Sequence, residues 1–243
     1  MWRKTLLYTV TICVLLLVLN SQSVFACEIT EGNDDIHKWT GAKENVASIQ
    51  GVKADLGTYN PSPVFQTTSF WVMLTQNEQD PDRWAQVGWY KAEDNSNIYV
   101  WCEFTDDSGQ VNDYFYYEPG DYWTGVPSTT PTSSETYQVT YSADSPGTFY
   151  MRYANGASNS ASYMWEPSRL EVQGETLNYA DPDKGDHVVG DVSNKVHASS
   201  IKKKLNGTWQ DASPNYSAEG HGAYDNNTTM PGFRIWDTRQ CEK

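Results

Sequence analysis

The chain has 243 residues, with 17 Lys and Arg against 31 Asp and Glu, a formal charge of −14. Such acidity argues against nucleic acid and against anionic membrane surfaces as partners, because both are held by basic patches. Aromatic content reaches 14%, with ten Trp and sixteen Tyr, a supply suited to filling a sandwich core or lining a cleft.

Arg3 and Lys4 precede an apolar run from about Leu6 to Leu19, and small residues surround Ala26. This predicts residues 1–26 as an export signal cleaved after Ala26. The run is short for a membrane span. An uncleaved anchor and lipidation of Cys27 are the alternatives. Cleavage leaves about 217 residues carrying 15 basic and 31 acidic side chains, a formal −16. That length suffices for one domain with a real core. Such a balance suits a secreted protein working at low pH. Residues 27–45 are polar and read as an N-terminal arm, leaving 46–243 as a single β-sandwich domain.

From there short strands alternate with turn signals. The predicted strands are Ala47–Tyr59, Ser69–Thr75, Trp84–Lys91, Ile98–Thr105, Val111–Tyr117, Thr136–Ser142, Thr148–Tyr153, Ser160–Trp165, Arg169–Leu177, Lys195–Lys203 and Phe233–Asp237. The intervening turns carry Asn-Pro, Asp-Pro, Asp-Ser-Gly, Ser-Pro-Gly and Asn-Gly. No window sustains a helical period, and strand patterns continue on both sides of the loop Pro127–Ser134. The spacing predicts an all-β fold, a sandwich of two antiparallel sheets.

Side chains alternate between the two faces of a strand, which gives each strand a phase. In "WAQVGWY", Ala85, Val87 and Trp89 form an apolar set that belongs in the core. Trp84, Gln86, Gly88 and Tyr90 face the other way, with Gly88 expected to leave open space beside Gln86. In "IYVWCEFT" the core set is Val100, Cys102 and Phe104, opposite Tyr99, Trp101, Glu103 and Thr105. In "FWVML", Phe70, Val72 and Leu74 are core, and Trp71 and Met73 face away. In "RLEVQGETL", Leu170, Val172, Gly174 and Thr176 oppose Glu171, Gln173 and Glu175. If these four strands are neighbours, Trp71, Trp84, Gln86, Trp101, Glu103 and Glu175 line one aromatic-walled cleft.

The remaining chemistry-bearing residues read more plainly. Cys102 is a buried small hydrophobe with no histidine near it in sequence. Cys27 and Cys241 stand near the ends of the exported chain and are expected to form a disulfide. In the chain-entropy model a loop of that length is worth about 5 kcal/mol. His37, His187, His197 and His221 are dispersed in polar contexts and read as loop or surface residues. Asp106, Asp107 and Asp113 fit no calcium-loop spacing and read as a solvated turn. Asn206, Asn215, Asn226 and Asn227 begin N-x-S/T triplets. The basic stretch Ser200–Gly207 reads as a solvated strand end. Neither a metal nor a cofactor is expected.

Taken in order, "SFWVML", "AQVGWY", "YVWCEF" and "EVQGE" resemble the glutamic-peptidase lineage. Fungal glutamic peptidases have an aromatic S-W-V strand, a Q-x-G-V strand, a W-Y-E-W strand and a late E-W-I-V-E. Plant neprosin-type proteins have an opening similar to "GVKADLGTYNP", then E-A-G-W, then E-W-G-G-E. Where neprosin-type proteins carry a glutamate, this chain has Gln86, similar to the fungal glutamine. The resemblance covers roughly Gly51–Asn178. It implies a concanavalin-like, jelly-roll sandwich with Gln86 and Glu175 as a catalytic pair facing each other across a concave sheet. Trp71, Trp84, Tyr90, Trp101, Glu103 and Glu171 would support or wall that cleft.

The expected function is therefore a secreted, acid-acting peptidase. The expected substrate is a polypeptide, and the protein is expected to be a monomer without stable membrane association unless Cys27 is lipidated. The alternative is a secreted, non-catalytic module binding a glycan or peptide, since fold does not fix function. A glycosidase ranks behind both, because no paired-carboxylate signature such as E-x-D-x-x-E is present.

Overall fold

The computed structural model describes residues 37–59, 67–76, 83–92, 98–108, 111–116, 134–144, 147–153, 157–176, 189–226 and 232–238. All of them fall in one compact unit, Glu28–Arg239. Among these residues there are fifteen strands and no helix. In chain order they are β1 (Lys38–Asn45), β2 (Gly51–Gly57), β3 (Thr67–Thr75), β4 (Trp84–Ala92), β5 (Tyr99–Thr105), β6 (Val111–Tyr116), β7 (Ser134–Ser142) and β8 (Gly147–Tyr153). They continue as β9 (Ala157–Tyr163), β10 (Arg169–Thr176), β11 (Val196–Leu205), β12 (Thr208–Asp211), β13 (Asn215–Ala218), β14 (Gly222–Asp225) and β15 (Gly232–Asp237).

The strands form two antiparallel sheets. One has seven strands in the order β13-β1-β10-β3-β4-β5-β6; the other has eight in the order β14-β15-β11-β2-β7-β8-β9, with β12 paired to β11. The all-β, two-sheet expectation thus holds. Sequential hairpins build the runs β3 to β6 and β7 to β9. The late strand β10 returns to the first sheet and slots between β1 and β3. The switch between sheets after β1 is short: Ser48 takes a left-handed φ of 55° in the turn, and Ile49, 1% exposed, enters the core beside it.

The alternation expected from sequence sorts the core. Phe70, Val72, Leu74, Ala85, Val87, Trp89, Val100, Cys102, Phe104, Leu170 and Val172 of the first sheet meet Val52, Ala54, Leu56, Tyr137, Val139, Phe149, Met151, Phe233 and Ile235 of the second. Each buried large side chain contributes about 1.5–3 kcal/mol by its removal from water. The Trp89 indole N–H is not stranded in this apolar layer, because it donates to the Gly57 carbonyl at 2.9 Å.

Two expectations need correction. The polar arm 27–45 is not all arm, since residues 38–45 are β1, an interior strand of the first sheet. Only Thr40, Gly41 and Ala42 of β1 are buried, and main-chain pairing to β10 and β13 holds the rest, so no apolar period announced it. The short strands β12, β13 and β14, four residues each, were likewise absent from the expected set. The expected signal, Cys27 and its expected partner Cys241, His187 and residues 127–133 lie outside the described residues.

Candidate active site

The ladder registers place the site residues in rows across the outer face of the seven-stranded sheet. One row reads Trp39, Glu175, Ser69, Tyr90, Tyr99. The next reads Gly41, Gln173, Trp71, Gly88, Trp101, and the third Lys43, Glu171, Met73, Gln86, Glu103. The four strands whose phases matched in sequence, β10, β3, β4 and β5, are consecutive neighbours. Trp71, Tyr90, Tyr99 and Trp101 form a second apolar cluster, 2–8% exposed, with Trp39 and Met73 packed against it. Tyr90 meets Trp101 edge-on at 6.3 Å and Tyr99 at 5.6 Å. These rings pack on one another and form a wall, not an open platform.

Gly88 makes that wall possible, though not by leaving open space as expected. A Cβ there would lie 2.2 Å from the Phe70 carbonyl oxygen and 2.6 Å from both Cα and Cβ of Trp71. The room a side chain would need is already taken by β3, so the glycine lets Trp71 stand directly against β4.

Glu175 is held at both oxygens. Its Oε1 lies 2.8 Å from His37 Nδ1, and its Oε2 accepts from the Trp71 indole at 2.9 Å. Its side chain keeps 15% exposure. Glu171, four residues earlier on the same face, is 3% exposed and locked in charge pairs with Arg169 at 2.7 Å and Lys43 at 3.7 Å, while Gln173 Nε2 donates to it at 2.5 Å. The two carboxylates of "EVQGE" are therefore unequal. Glu171 is a neutralised structural group, and Glu175 is the one that reaches outward.

Gln86, 6% exposed, donates through Nε2 to Glu103 Oε1 at 3.2 Å, and Trp84 Nε1 donates to the same oxygen at 2.6 Å. Trp84 is thus more than a wall. Among the described residues, one Nε2 hydrogen of Gln86 remains and its buried Oε1 has no hydrogen-bond partner. Burial pushes the Glu103 carboxyl up to about 7; the Trp84 hydrogen bond opposes this, the Glu175 charge adds to it, and Gln86 and His37 pull the other way. Glu103 therefore holds its proton in acid and shares an electrostatic field with Glu175.

Gln86 and Glu175 lie on a diagonal, two strands and two rows apart. On a flat sheet their Cα atoms would be roughly 16 Å apart. Sheet twist alters such diagonals, and the charge of Glu175 is felt at Glu103, one strand beyond Gln86. The two have separate hydrogen-bond partners, and Glu103 accepts from Gln86 and feels the charge of Glu175.

His37 lies just before β1 with 39% side-chain exposure, as its loop or surface reading expects, and also touches Glu175 across 138 positions, a contact no local pattern encodes. Its ring also stacks on Trp39 at 5.6 Å and 27°. Gln173 carries the expected phase, but nothing in the sequence marks it as a fully buried donor to Glu171. The turn reading of Asp106 agrees with the structure, where Oδ1 accepts from the Ser108 amide at 2.8 Å.

The two-sheet sandwich defines the architecture, and solved structures similar to it include glutamic peptidases. One is scytalido-glutamic peptidase with a peptide-based transition-state analogue, 14% identical, with a TM-score of 0.53 over 83% of this chain and 98% of that one. A second structure of that peptidase, with a transition-state analogue inhibitor, gives 0.52 at 14% identity over the same shares. SCP-B, a member of the eqolisin family in complex with the tripeptide Ala-Ile-His, gives 0.50 at 13% identity, again over 83% and 98%. At such identities the likeness speaks for the fold. No protein-family model matches the sequence, and no curated protein matches it.

Proposed function

We propose that this chain is a secreted, acid-acting endopeptidase-like hydrolase in which Gln86 and Glu175 carry the reaction. The supporting observation is the shared sheet face, where β10, β3, β4 and β5 carry Glu175 bonded to Trp71 and Gln86 bonded to Glu103, with the Glu175 charge felt at Glu103. Glu175 removes a proton from water as the water oxygen bonds to the scissile carbonyl carbon. The same carboxyl then returns that proton to the amide nitrogen as the C–N bond breaks. The second Nε2 hydrogen of Gln86 donates to the oxyanion and its Oε1 orients the water. One such donor is worth about 10²–10³ in rate.

Acid conditions suit this chemistry. Below pH 7 Glu103 keeps its proton, so a second negative charge does not oppose the Glu175 carboxylate. A polypeptide substrate accords with the peptide ligands of the similar structures. The test is cleavage of casein or gelatin between pH 3 and 6 by the wild type, Gln86→Ala and Glu175→Gln. Both substitutions should lower kcat at least about 100-fold. Undiminished cleavage in either one sinks the assignment.

A further inference from the structure

We propose that His37 is a positioning residue for Glu175, fixing the direction in which the carboxylate meets its water. The inference rests on the peptidase reading of Glu175. His37 Nδ1 and Trp71 Nε1 bind different oxygens of the carboxylate, at 2.8 and 2.9 Å. Two donors on two oxygens prevent rotation about the terminal torsion of the side chain, which is otherwise soft. One lone pair on each oxygen is used in this way, and the others remain to accept from water.

His37 is itself held. Its imidazole stacks on Trp39, and Trp39 is the direct ladder partner of Glu175 in the pairing of β1 with β10. The strand that braces Glu175 through its main chain therefore also presents the ring that braces its side chain. The histidine keeps 39% side-chain exposure against 15% for Glu175, so it covers the outer side of the carboxylate and borders solvent. Charged groups facing it include Glu175 from β10 and, at longer range, Glu103 from β5. Facing an ionised carboxylate, Nδ1 donates in both the neutral Nδ1–H tautomer and the cation.

The experiment compares His37→Ala and His37→Asn with the wild type. The asparagine side chain returns an N–H donor near the Nδ1 position. His37→Ala should lower kcat about 10- to 100-fold, in line with the cost of misplacing a reacting group by about 1 Å. KM should stay within about twofold, and His37→Asn should recover most of the loss. A kcat unaffected by His37→Ala, a change confined to KM, or an asparagine variant no better than alanine overturns the proposal. A second readout does not depend on turnover. In ¹H–¹⁵N spectra the Trp71 indole N–H resonance should move on His37→Ala, and the His37 ring resonances should move on Glu175→Gln. If the wild type cleaves nothing yet both shifts occur, the brace stands and the peptidase reading fails. If neither resonance moves, the brace is overturned whatever the activity.

Discussion

Replacing Glu103 by glutamine tests the electrostatics of the site without removing its hydrogen-bond acceptor. In the folded protein the carboxyl is pushed from 4.5 up to about 7, chiefly by burial. A carboxyl with a raised value binds more protons folded than unfolded between those limits, so its contribution to stability falls as pH rises through that window. The full shift amounts to about 3 kcal/mol, reached above pH 7, and most of it is still avoided at pH 5. The carboxamide of the Glu103→Gln variant stays neutral at every pH, and its oxygen still accepts from Trp84 and Gln86. Urea unfolding followed by tryptophan fluorescence at pH 5, 6, 7 and 8 measures the difference. The wild type should lose about 2–3 kcal/mol relative to Glu103→Gln between pH 5 and pH 8. Parallel stability curves for the two proteins across that range would refute the reasoning, and with it the view that Glu103 is neutral when the site works.

Two further expectations concern the frame around the site. Gly88→Ala sets a methyl against the Phe70 carbonyl and the base of Trp71, and should destabilise by about 3 kcal/mol or more, read as a fall in Tm; an unchanged Tm would mean β3 and β4 are not so closely apposed. Arg169→Met removes the nearer cation from nearly buried Glu171 and should cost about 3 kcal/mol in urea unfolding at pH 7. Glu171→Gln in the same background should restore part of that loss, because the uncompensated charge is then gone.

The strands that build the site were legible because each carries a clean apolar set on one face. Ala85, Val87 and Trp89 could only be core, which forced Gln86 outward, and the same logic forced Trp71, Glu103 and Glu175. Sequence phase cannot state which strands are neighbours, and the order β10-β3-β4-β5 supplied that. The misreading of Gly88 has the same origin, since a glycine opens space or admits a neighbour depending on which strand lies alongside. β1 was missed because it is held by main-chain pairing and offers almost no apolar period. The contact of His37 is invisible in sequence because its partner lies 138 positions away, and the unequal fates of Glu171 and Glu175 were hidden because Arg169 and Lys43 decide them through space.

The insertion of β10 between β1 and β3 also sets a timetable. Ladder contacts between Glu175 and Trp39 or Ser69, and the side-chain bonds to His37 and Trp71, join residues more than 100 positions apart. Closing such loops is slow compared with forming the β3–β4–β5 hairpins. A growing or translocating chain can thus assemble Gln86, Glu103 and the aromatic wall while the carboxylate of Glu175 is still elsewhere. The complete outer face, with Glu175 bonded to Trp71, comes into being only when residues 169–176 have been made and have entered between β1 and β3.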